Sequence, residues 1–155
     1  GKSYEQGGII KDGSKMINSV ANSKVPHITL NLAASFGAGN YGMSGRAYDP
    51  RLMFAWPGSR LAVMGAAQLA GVMSIVARQS AASSGREFDA EADERNRAAV
   101  EAQIEQESHA FFVTARLYDD GLIDPRDTRT VLGIALSTAH SNIVAGQRGY
   151  GVFRM

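Results

Sequence analysis

An α/β fold is predicted by three features of the sequence. A strand-like run at residues 27–33 (HITLNLA) leads through a glycine-rich turn toward a helix. A second pair of strand-like runs, LMFAW and RLAVM, leads into a long alanine-rich helix. Helical patterning occupies most of what remains. Strands that alternate with helices in this order belong to the α/β class. The 155 residues are 45% hydrophobic and 20% charged, which suffices for one globular domain with its own core.

Each element has a local cause. Residues 8–22 read as a helix because Ile10, Gly13, Ile17, Val20 and Ala21 share one face. Pro26 stops it by disfavouring a helical conformation at Val25. Residues 27–33 alternate and are rich in branched side chains, so they read as one strand ending at Ala33. The helix expected next, GNYGMSGRA, is short and weakened by Gly42 and Gly45. Pro57 and Gly58 mark a turn between the two strands that follow. Gly65 opens a helix with Leu69, Val72, Met73 and Val76 on one face. Residues 83–108 are highly charged, with Val100 and Ile104 as a thin apolar stripe, and read as a solvated helix. Residues 109–121 read as an amphipathic helix that stops at Gly121. Asp124 suits an N-cap and Pro125 the first helical position. Asp127 adds negative charge to the first turn, so a last helix is expected there. The tail GYGVFRM is apolar enough to dock.

Several functions are disfavoured by composition. A net charge of +1 implies no nucleic acid or other polyelectrolyte partner. No apolar run is long enough to cross a membrane. Without cysteine there is no disulfide, thiolate zinc site or cysteine nucleophile, and a reducing interior fits. The opening GKSYEQGG has neither the charged nor the apolar region of a secretory signal. It also opens without a preceding strand, and few strands serve many helices. The chain is therefore expected to be part of a larger polypeptide.

Familiar catalytic motifs are missing. GAGNYG fits G-x-G-x-x-G, but no acidic residue lies where a ribose contact would need one. There is no phosphate-binding G-x-x-x-x-G-K-[ST] loop and no G-x-S-x-G nucleophile elbow. His27, His109 and His140 are scattered without metal-ligand spacing, so no metal site is expected and each is read as a surface or packed histidine. Asp119 and Asp120 precede Gly121 and suit a turn. Their charge is unfavourable at a helix C-terminus, which hints at a partner. Arg46, Arg51 and Arg60 could meet an anion or form surface ion pairs, and Tyr41, Tyr48 and Trp56 could line a pocket or simply pack.

The glycine turn remains. A helix that begins near Ala38 leaves its first N–H groups without intrahelical acceptors, and Gly37 and Gly39 keep side chains away from them. That is the physical form of an oxyanion hole. It is equally the form of a close strand–helix crossing that only glycine allows, and the residues alone leave both open.

Three segments carry a resemblance: YEQGGIIKDGSKMINSVANSKVPHITL, SFGAGNYGMSGRAYDPRLMFAWPGSRLAVMG and ARLYDDGLIDPRDTRTVLGIALS. In this order they closely resemble the C-terminal half of the carboxyltransferase (β) subunit of biotin-dependent acyl-CoA carboxylases. GAGNYGM and the final FRM are most similar to the 3-methylcrotonyl-CoA branch. The resemblance implies a crotonase-like fold of repeated ββα units, incomplete at its N-terminus. Residues 1–155 would be a truncated, biotin-side C domain. Its active site would be completed by the N domain of a neighbouring subunit within a hexamer. The implied cofactor is biotin, carried as carboxybiotin on a partner biotin carboxylase/biotin carrier subunit, and the implied substrate is a coenzyme A thioester. Matching the motif places the oxyanion-stabilising N–H groups at Ala38 and Gly39. It places biotin binding at Phe36, Gly37, Ala38, Gly39 and Tyr41. The biotin nitrogen would take the substrate proton, so no side-chain base is required. The implied location is the cytoplasm, or the mitochondrial matrix in a eukaryote.

Within this reading, propionyl-CoA, acetyl-CoA or geranyl-CoA are alternative substrates. Another crotonase-fold hydratase or isomerase would want an acidic residue near the second ββα unit, where LAVMG supplies none. A non-catalytic assembly domain would fit the charged helix and apolar tail, but would leave the glycine turn without a ligand.

Overall fold

The computed structural model describes residues 2–143. Two short parallel sheets organise the fold, and successive strands alternate between them. Helices α1 (Lys2–Gln6) and α2 (Ile9–Asn22) come first. Strand β1 (Ile28–Asn31) is followed by β2 (Ala34–Phe36) and helix α3 (Gly37–Gly42). The same order repeats as β3 (Leu52–Ala55), β4 (Arg60–Ala62) and α4 (Ala66–Ser83). Helices α5 (Ala90–Ser108) and α6 (Ala110–Ala115), strand β5 (Gly121–Leu122) and helix α7 (Thr128–His140) complete it. One sheet has the order β1-β3-β5 and the other β2-β4. The ββα unit therefore appears twice, with the first strand of each unit in one sheet and the second in the other.

This arrangement corrects the reading of residues 27–33 as one strand. The chain leaves β1 after Asn31 and enters the second sheet as β2. The Trp56 N–H donates to the Asn31 carbonyl at 2.9 Å, and the Arg60 N–H to the Ala33 carbonyl at 3.2 Å. The β3–β4 connection thus follows the same bend, and pairing is kept through it. Strand β2 then runs to Phe36, beyond the expected end at Ala33, and α3 starts directly at Gly37. Ser44, at φ 60°, lies just past the end of α3, well short of the expected residue 47.

The expected helix over 109–121 is also corrected. Helix α6 ends at Ala115, and Leu117 turns the chain at φ 60°. The backbone then enters the first sheet as β5. Asp120 makes that junction: its N–H donates to the Met53 carbonyl at 2.7 Å, and its carboxylate accepts the Met53 N–H at 2.7 Å. A side chain thus extends the ladder where the strand itself is only two residues long.

The helical expectations elsewhere hold with shifted edges. Residues 84–89 separate α4 from α5, and the Asp89 carboxylate caps α5 by accepting the Ala92 N–H at 2.9 Å. The two helices pack together, and the buried Ser74 hydroxyl donates to the buried Asp93 carboxylate between them at 2.6 Å. Asp124 acts as expected, accepting the Arg126 N–H at 2.8 Å, but it caps a 3-10 turn (Pro125–Asp127) ahead of α7. The Arg126 guanidinium also binds this carboxyl and holds it below its ordinary range. Trp56 docks α7 by donating its indole N–H to the Thr128 hydroxyl at 3.0 Å. The tail GYGVFRM lies outside the described residues.

The core is narrow. Its buried apolar residues among those described are Met53, Ala55, Ala70, Ala110, Val113, Ile123 and Ala135. Met53 is the largest side chain fully enclosed. Helix α2 buries none of its residues, although one of its faces is apolar.

Candidate functional site

The turn at residues 35–40 sits where the second sheet hands over to α3. Gly37 has φ 62°, and a Cβ there would lie 3.1 Å from the Val63 carbonyl oxygen. Both the positive φ and the close carbonyl favour glycine here. Phe36 precedes the helix in an extended conformation and offers no side-chain cap. The amides of Ala38 and Gly39 fall in the first helical turn, where no intrahelical acceptor exists. The space beside Gly39 is open: a Cβ there would meet no atom within 4 Å. The tight approach therefore occurs at Gly37 and the open side at Gly39.

Next to the turn is an open cleft of about 720 Å³. Gly37, Ala38, Tyr41, Tyr48, Val63 and Tyr118 are among its lining residues. Tyr41 and Tyr48 pack edge to face with ring centroids 6.0 Å apart. Apolar walls with a few polar groups among them suit a small, mostly apolar ligand. Of the residues singled out in the sequence, Gly37, Ala38, Tyr41 and Tyr48 line this cleft, with Phe36 and Gly39 adjacent to it in the same turn, and Trp56 does not line it. Sequence reasoning missed Tyr118, Val63 and Glu107 as lining residues and gave Asn40 no role. Tyr118 was hidden by the helical reading of its segment.

The candidate acids, bases and cations are dispersed. The His27 Nδ1 lies 3.1 Å from the Ser44 hydroxyl. His109 caps α6 through the Phe111 N–H and stacks on the Phe111 ring. His140 sits in the last turn of α7. Asp119 is buried and accepts the Thr114 hydroxyl, while Asp120 binds Met53 and, at 3.3 Å, Arg46. The two carboxylates thus serve the turn into β5, and the partner hinted at by their charge is Arg46 and a backbone amide. Arg60 lies 3.9 Å from Glu105. No group of three His, Asp or Glu side chains converges on a metal position among the described residues. Single His27→Gln, His109→Gln and His140→Gln changes are expected to leave turnover within about tenfold of wild type. A loss beyond about a hundredfold in a folded variant would instead indicate general acid–base work.

Two ββα units whose strands alternate between two parallel sheets define a crotonase-like fold. The chain belongs to the carboxyl transferase domain family, which it matches over residues 1–149. It is 60% identical over 155 residues to a probable biotin-dependent acyl-coenzyme A carboxylase β2 subunit of Mycobacterium tuberculosis, covering all of this chain and 29% of that protein. It is 47% identical over 156 aligned positions to the biotin-dependent 3-methylcrotonyl-coenzyme A carboxylase β1 subunit of the same organism, again 100% of this chain and 29% of the relative. The geranyl-CoA carboxylase β subunit of P. aeruginosa superposes with a TM-score of 0.81 at 44% identity, covering 98% of this chain and 29% of that one. The chain therefore spans under a third of the length of these relatives. The expected kinship with acyl-CoA carboxylase β subunits, and with it the crotonase-like fold, is borne out.

Proposed function

We propose that this chain supplies the biotin-side C domain of a carboxyltransferase that acts on an acyl-CoA, with 3-methylcrotonyl-CoA as the preferred substrate. The observation that carries the reading is the Gly37–Gly39 turn opening on an apolar cleft. When bound, carboxybiotin supplies the carboxyl group and the nitrogen base. The chain's own part is to bind and to stabilise charge. The Ala38 and Gly39 N–H groups would donate to the ureido oxygen of bound biotin and stabilise negative charge there. Phe36, Gly37 and Tyr41 pack against the ring and exclude water. Because the donors are backbone groups fixed before reaction, they need no reorganisation when charge develops. No side-chain base is required, in keeping with the dispersed histidines and aspartates.

The acyl-CoA is held chiefly by the N domain of a neighbouring subunit, and the biotin arrives on a carrier domain of a biotin carboxylase partner. The assembled subunit is a hexamer of the cytoplasm or mitochondrial matrix. No helix among the described residues is long and apolar enough to cross a membrane. The 47% identity to a 3-methylcrotonyl-coenzyme A carboxylase subunit supports the acyl preference.

One observation favours the hydratase or isomerase reading. Glu107 lines the same cleft and is an acid that residues 61–65 lack. Its carboxylate, however, is exposed and accepts a bond from Gln103 at 3.0 Å. The experiment is a complete β subunit carrying this sequence, assayed for carboxyl transfer from a carboxybiotinylated carrier and for hydration of an enoyl-CoA. Carboxyl transfer, with Glu107→Gln within about tenfold of wild type, is the expected result. Hydration that disappears in Glu107→Gln would replace the proposal with the hydratase reading.

A further inference from the structure

We infer that the Ser35–Asn40 hydrogen bond fixes the backbone donors of the turn, making both side chains positioning residues for carboxyl transfer. This rests on the reading of the turn proposed above. Helix α3 cannot fix those donors by itself. It has six residues, three of them glycine, and Phe36 gives it no side-chain cap. So short a helix is marginal alone, and a glycine inside it, Gly39, weakens it further.

The missing constraint is supplied across the turn. The Asn40 Nδ2 donates to the Ser35 hydroxyl at 2.8 Å, and both residues are half-buried. The bond closes a loop that contains Phe36, Gly37, Ala38 and Gly39, and so both proposed donors. Its Ser35 end is anchored, because Ser35 lies opposite Leu61 in the β2–β4 ladder. Its Asn40 end is anchored too. A Cβ at Gly45 would lie 2.7 Å from the Asn40 carbonyl oxygen and would strike the Asn40 side chain, so Gly45 leaves room for this arrangement. Just beyond, the Thr29 hydroxyl donates to the Ser44 carbonyl at 2.8 Å and ties the far end of α3 to β1. Asn40 also lines the cleft, with one of its amide N–H donors engaged with Ser35. Its role is to hold the turn.

The test is a double-mutant cycle in a complete β subunit, with kcat, KM for acyl-CoA and Tm measured for each variant. Ser35→Ala and Asn40→Ala are each expected to lower kcat by about 10- to 100-fold, the scale of a small misplacement of catalytic groups, with KM near wild type. The double variant should be no worse than the poorer single variant, because the two changes remove one interaction. Ser35→Thr, which keeps the hydroxyl, should restore kcat. If Asn40→Ala does not fold, Ser35→Ala and its threonine rescue decide alone. Wild-type kcat in Ser35→Ala would overturn the inference, as would losses that multiply in the double variant. Either result beside an inactive Ala38→Pro enzyme removes only the clamp. An active Ala38→Pro enzyme removes the reading of the turn itself.

Discussion

Replacing Ala38 with proline in a complete β subunit is expected to lower carboxyl transfer by about 10²–10³-fold, the usual cost of one lost oxyanion donor. Proline removes the Ala38 N–H. Ala38 is the second residue of α3, where the amide has no intrahelical acceptor and proline does not break a helical bond. Gly37, which precedes it, tolerates the restriction proline imposes on its neighbour better than any other residue. The variant should therefore fold, and circular dichroism with a thermal scan verifies that before kinetics are read. The loss should fall on kcat, because the interaction strengthens as charge develops. Near-normal turnover in a folded Ala38→Pro protein would sink the assignment.

The second large effect concerns assembly. Apolar faces that the sequence displays over residues 8–20, 66–76 and 111–117 stay largely uncovered in the fold. Ile10 is 71% exposed, Val76 56% and Leu117 78%. The narrow core built around Met53 cannot enclose them. Exposed patches of this extent mark interaction surfaces, and closed symmetric assemblies are their common outcome. The isolated 155-residue chain is expected to self-associate or to be unstable. A complete subunit is expected to be a hexamer, with another domain on these faces. Light scattering on both decides the point. A well-folded monomer of this chain that turns over acyl-CoA without an N domain would contradict the shared site.

The turn was legible in the sequence because glycine there answers a positional demand. Gly37 must take a positive φ beside the Val63 carbonyl, and no other residue does so cheaply. The family resemblance then selected a ligand that the residues alone left open. The walls of the cleft were less legible. Residues 109–121 carry helical spacing to their end, and nothing in Leu117 announces a left-handed turn. Tyr118 therefore could not be placed beside Tyr41 without the fold. The bend between Asn31 and Ala34 was hidden for a related reason. Alternation of side chains says that a segment is extended, not which sheet it joins. The role of Asn40 depends on Ser35 and Gly45 together, and this emerges only when the turn is closed.

The junction at Asp120 also shapes the order in which the chain becomes native. Asp120 and Met53 lie 67 residues apart, so their pairing has to close a long loop. For a featureless loop of that size the entropic toll grows to about 4 kcal/mol. Helices α4 and α5 lie inside that loop, touch along their length and carry the buried Ser74–Asp93 bond. Their contacts are local, so this hairpin is expected to form early and to shorten the effective span before β5 docks. Strand β5, two residues long and secured by a carboxylate, is then among the last pieces to dock. On that order the wall of the cleft at Tyr118 is expected to be among the last parts to form.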